Sequence, residues 1–153
     1  MNKGNDLRAM NLMHKAMLAG QILFAAICFY MLYSKAMVPS LQDMDKIFQV
    51  IAIALSAAGF FAGNFLFKKK LSQAREISAG LKEKFALYRS GCVMQWAFLE
   101  GPGIFSIVCF FLTGNYAFIA LAAVLILLFA ILAPSKLKIA LLLGVSEAEV
   151  SEL

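Results

Sequence analysis

One carboxylate stands apart from the other charges in this chain. Glu100 lies inside an apolar stretch, GCVMQWAFLEGPGIFSIVCFFLT, from Gly91 to Thr113. Arg89 precedes it by eleven positions, which in a helix is about 16 Å. A glutamate is too short to reach water from that depth, so it must be protonated, paired or open to a polar cavity. Two roles fit: a proton or cation relay, or a counter-charge for a cationic substrate. A protonated acid hydrogen-bonded across helices fits as well.

The residues around it sharpen both readings. Pro102 follows within Gly101-Pro102-Gly103. Proline lacks an N–H and crowds the carbonyl four residues back, so the helix is expected to kink or open at this break. Gln21 is the expected side-chain partner of Glu100. Gln95 and Trp96 lie below it in the same stretch, with Trp96 about one turn away. His14 matches Gln95 in depth; beside Lys15 and Arg8 it reads as interfacial, or else as a proton-passing group. No second acid, base or nucleophile accompanies Glu100, and no P-loop, CxxC, HExxH or serine elbow occurs, so no catalytic residue is assigned. Cys28, Cys92 and Cys109 lack metal-like spacing and there is one histidine, so neither metal nor cofactor is expected.

The surrounding composition names the medium. Of 153 residues, 62% are hydrophobic and 15% charged, against about 25% charged in a soluble domain. Mean hydropathy is +0.81. The pattern predicts one all-α domain over 1–153, a polytopic four-helix transmembrane bundle with spans near 12–33, 47–67, 91–113 and 116–133. Each is close to the ~20 residues that cross a bilayer. The first run is long and lacks a clear cleavage site near Ser34-Lys35-Ala36, so it reads as a retained span.

Charge placement predicts the topology. Twelve of the fourteen basic residues lie in the N-terminal tail, the 68–90 connection and the 134–153 tail. The positive-inside rule puts both termini in the cytoplasm, in a plasma (inner) membrane. The net charge of +5 is therefore read as topology control and contact with the lipid bilayer, not as nucleic-acid binding. In the connection, Leu71, Ala74, Ile77, Leu81 and Phe85 recur at helical spacing, which predicts either an extension of span two or an amphipathic helix on the lipid surface. In the tail, Ile139–Leu143 is too short to span and is expected to dock at the inner surface. Ser146 with Glu149 reads as a capping box.

A shift of 81 residues lays span one on span three with eight identities over Arg8–Phe29, among them Gly20 on Gly101 and Cys28 on Cys109. This internal repeat suggests two helical hairpins in parallel orientation. Gly59 and Gly63 form a GxxxG, and Gly20 and Gly101 each close a small-xxx-small pattern. Such residues predict tight helix packing and possible contact with a second copy or a partner.

In size, four spans, paired hairpins and one membrane glutamate, the chain resembles duplicated proteolipids of rotary ATPases, which would make Glu100 an ion-binding carboxylate. It departs from them in carrying the acid on the first helix of its hairpin, in lacking their glycine repeats and in placing its termini inside. Glu100 with nearby Trp96 is similar to small multidrug transporters, which are shorter and unduplicated. Neither family's pattern is matched. Two functions follow as expectations: proton- or cation-coupled transport through Glu100, or a non-catalytic assembly or partner-binding role.

Overall fold

A computed structural model describes residues 5–78 and 80–151, and they are helical with short connections. Three long helices are α1 (Asn5–Tyr33), α2 (Asp45–Glu76) and α3 (Leu81–Thr113). Three shorter ones follow: α4 (Tyr116–Ile131), α5 (Lys136–Leu143) and α6 (Glu147–Val150). By length and hydropathy α1, α2 and α3 are sufficient to cross a membrane. The fourth expected span differs. α4 has 16 residues, about 24 Å, and the chain then turns by 72° into α5. Only the bent pair together meets the length of a span. Pro134 follows α4, where it cannot continue a helix.

The connection 68–90 is not a separate surface helix. α2 runs on to Glu76, four residues intervene, and α3 begins at Leu81. Leu71, Ala74, Phe85 and Tyr88 are buried with Leu7, Met10, Ile139, Leu143 and Val150. The basic end of the long helices is thus held together by the tail. Gly144 ends α5 in the left-handed region at φ 69°, and Arg75 Nε donates to the Leu142 carbonyl at 2.6 Å. That contact supplies a cation and a donor where the helix leaves carbonyls unmet. Ser146 caps α6 in a complete capping box with Glu149.

At the opposite end, Gly114 closes α3 at φ 73° and Asn115 caps α4 by accepting from the Ala117 amide. Asn115 Nδ2 also donates to Asp45 Oδ2 at 2.7 Å, tying the starts of α2 and α4. The amides of Ser40 and Leu41 donate to the Leu112 carbonyl, which pins the first loop there.

α3 is the hub. It packs on α2, α4 and α1, while α1 makes no substantial contact with α2. The repeat therefore does not yield two equivalent hairpins. α1 and α3 run parallel, but α3 pairs with α4 and α1 lies apart from α2. The principal hairpin, α2–α3, crosses the boundary between the matched segments.

The α2–α3 contact is set by glycine. A Cβ at Gly59 would collide with the Phe98 carbonyl oxygen and stand 3.0 Å from Pro102 Cγ. A Cβ at Gly63 would stand 3.1 Å from Phe98 Cβ. Phe98 is the residue whose carbonyl loses its helical donor to Pro102. α3 nevertheless continues unbroken through Pro102 instead of opening. The Gly59 backbone lies against the freed oxygen, where a Cα–H can offer a weak donor. Gly20 and Gly101 differ from this: both are exposed, with no neighbour within 4 Å of an added Cβ.

Gly59→Ala is expected to cost about 1–3 kcal/mol through overpacking against backbone. Gly20→Ala should be neutral, or stabilising by up to about 1 kcal/mol through helix propensity. Denaturation in detergent micelles separates the two, and equal effects would contradict the asymmetry. Donors from Ser146 hold the Glu149 carboxyl below its ordinary value. Its stabilisation of α6 is therefore present above the ordinary carboxylate pKa and is lost as pH falls through the depressed one. Hydrogen-exchange protection of the Glu149 amide should drop in that acid window, and Glu149→Gln should remove the dependence.

Candidate functional site

The helical register of α3 distributes its residues among three neighbours and one open side. Gln95, Phe98 and Pro102 meet α2. Trp96 and Gly103 meet α1 through His14 and Gln21. Leu125 of α4 also reaches Gly103. Met94, Ala97, Gly101 and Ile104 remain exposed on the side left between α1 and α2. Along the α2 flank of this strip runs a groove of about 380 Å³, lined by Ala58, Gly59, Ala62, Ala97, Gly101 and Pro102 among others.

Glu100 borders that strip. Trp96 and Gly103, four before and three after it, face α1. Ala97 and Ile104, three before and four after, are exposed. The carboxylate is partly buried and makes no hydrogen bond or ion pair among the described residues. It is not bonded to Gln21. That side chain is 2% exposed, and its Oε1 would lie 3.4 Å from a Cβ on Gly103. Its Nε2 has no partner among the described residues. Gly103 is thus a place where the missing side chain admits a buried amide.

Gln95 turns away from Glu100. Its Nε2 donates to Asn64 Oδ1 at 2.7 Å, and Asn64 Nδ2 donates to the Phe60 carbonyl at 2.9 Å. This is a polar clasp between α2 and α3. Trp96 and His14 do come together, at 4.8 Å between ring centroids and edge to face.

His14 is buried inside the bundle. It is 2% exposed, stacked on Phe129 at 4.6 Å, with Nε2 3.0 Å from the Phe129 carbonyl. A carbonyl only accepts, so Nε2 carries the proton. The histidine therefore caps the last turn of α4, three residues before the chain leaves the helix at Leu132. No short-range signal pairs residues 115 positions apart, so Phe129 could not be anticipated as its partner. Trp96 Nε1 has no acceptor among the described residues, so the indole adds a second orphan donor at the α1–α3 contact.

The expected residues therefore separate into three places: Glu100 on the open edge, Gln95 in the α2 clasp, and His14, Trp96 and Gln21 along α1. Among the described residues no three His, Cys, Asp or Glu side chains cluster as metal ligands. No protein-family model, curated protein or solved structure matches the chain.

Removing the orphan amide by Gln21→Met is expected to raise stability by about 1–3 kcal/mol. His14→Phe retains the stack but loses the cap, and should cost about 1 kcal/mol. His14→Ala also leaves a cavity and should cost about 2–5 kcal/mol. Chemical denaturation of the three variants checks the order, and a destabilised Gln21→Met would contradict it.

Proposed function

We propose that this chain is a multi-pass protein of the plasma (inner) membrane with both termini in the cytoplasm, and that its role is to bind a partner protein within the bilayer. The orientation rests on the gathering of basic residues at the end where α2, α3 and the tail meet. In this reading α4 makes the fourth crossing, and α5 turns by 72° to lie against the basic end.

One observation carries the partner-binding reading. Glu100, without a hydrogen-bond or ion-pair partner among the described residues, edges a strip of α3 that the chain's own helices leave uncovered. An unmet carboxylate in hydrocarbon is costly, and helices associate there through small residues and polar contacts. The occupant that satisfies both is a transmembrane helix with small residues against Ala97 and Gly101. It carries a lysine, arginine or other donor at the level of Glu100.

A second reading is favoured by the same vacancy: Glu100 as a proton- or cation-binding carboxylate in transport. The groove is open to the side, so a covering subunit would have to complete any path.

A photo-cross-linker at Ala97 in native membranes distinguishes these. The partner reading expects a cross-link to a distinct protein whose attached segment bears a donor residue. That cross-link should fall at least about tenfold in Glu100→Gln, the loss of a charged pair worth about 1.4 kcal/mol or more, and recover in Glu100→Asp. Cross-linking only to a second copy would overturn it in favour of self-assembly. Cross-linking only to lipid, with Glu100-dependent proton flux in liposomes, would overturn it in favour of transport.

A further inference from the structure

A second polar site lies away from Glu100, at the basic end. Arg8, Asn11 and Lys15 recur at spacings of three and four on one face of α1. Lys136 begins α5, and Ser151 follows α6. These five side chains, with Leu7 and Val150 as an apolar floor, line a pocket of about 430 Å³. No acidic side chain among the described residues lines it. Lys136 Nζ donates to Ser151 Oγ at 3.2 Å, and this contact holds the α5 and α6 sides together. Arg8 and Lys15 are exposed residues of this lining and make no side-chain hydrogen bond among the described residues.

The chemistry of this lining is specific. Three cations and two neutral polar groups from separate elements converge on one space. Lys136 also marks the positive end of the α5 dipole. Arginine offers a planar fork to an oxyanion and lysine a point charge, so the set suits phosphate. Position adds to this. Leu12 on α1 is 69% exposed and begins the apolar stretch that runs to Tyr33. Lys15 and Arg8 lie around its start, where the headgroup layer meets the hydrocarbon.

We propose that this pocket binds a phosphate group, supplied by the headgroup of an anionic phospholipid or by free phosphate. The floor of Leu7 and Val150 is buried and joins the core that docks α6. Occupancy would therefore hold the tail against α1. This inference stands independently of the role of Glu100.

The test uses the full chain in detergent, with phosphatidylglycerol, phosphatidylcholine and inorganic phosphate as probes and native mass spectrometry as readout. The wild type should retain phosphatidylglycerol in preference to phosphatidylcholine. Each pocket cation removed should weaken retention about fivefold, following the contribution of one basic residue near an anionic lipid surface. Arg8→Gln/Lys15→Gln/Lys136→Gln should then lose about 100-fold. Lys68→Gln/Lys69→Gln/Lys84→Gln, with the same charge removed at the same end, should stay within about twofold, because diffuse attraction is screened. Lys136→Gln alone is a mild surface change; it should lose about fivefold and serves where the triple variant does not fold. Competition by millimolar inorganic phosphate assigns the site to free phosphate; no competition assigns it to the lipid headgroup. Equal losses in both triple variants, no loss in Lys136→Gln, or binding of neither probe would overturn the proposal.

Discussion

The close approach of α2 to α3 at Gly59 is the constraint from which the arrangement follows. In hydrocarbon a backbone carbonyl without a donor is expensive, and Pro102 creates one at Phe98. Glycine allows the α2 backbone to reach it, and both Gly59 and Gly63 lack the Cβ that would hold the helices apart. α2 is thereby committed to the Phe98–Pro102 side of α3. A second small residue, Gly103, admits Gln21 and commits α1 to another side. α4 fills the space between them. α3 is left with one uncovered strip, and Glu100 lies along its margin.

The polar residues divide according to the same geometry. At three helix contacts a polar group acts as a fastener: Gln95 with Asn64, His14 with the end of α4, Asn115 with Asp45. Each joins elements that apolar contact alone would leave free to slide. Gln21 and Trp96 instead keep a buried donor without a partner among the described residues. Glu100 makes no such bond among the described residues. This contrast between bonded His14 and Gln95 and unbonded Glu100 is what supports the proposed contact beyond the chain.

Much of this was legible in the residues. Four apolar runs, the basic clusters and the capping box are local patterns, and helices and caps obey local rules. Gly59 and Gly63 carry a spacing that speaks for close packing. Other features needed the third dimension. The pattern around Pro102 points to a kink or an opening; the helix does not open, and a sequence does not show that another backbone lies against the freed carbonyl. The apolar run at 116–133 corresponds to α4, but hydropathy does not register the 72° turn into α5 that follows it. Repeated residues in α1 and α3 suggested matched hairpins, yet the partners differ: Phe110 is buried while its counterpart Phe29 is exposed. Identity of side chains does not carry identity of neighbours. The Arg8–Lys15–Lys136 pocket joins residues more than a hundred positions apart, and only the docking of the tail assembles it.

α1 and α2 sit on separate flanks of α3 and leave its Ala97 strip open. Oxygen accessibility of a spin label at Ala97→Cys, in dilute protein in lipid nanodiscs, tests this most directly. Collision with oxygen should be as frequent as for a label at Leu127, on the exposed face of α4, and much more frequent than at buried Ser106. Protection of Ala97 to the level of Ser106 in the single chain would contradict it, because α1 and α2 would then close over the strip.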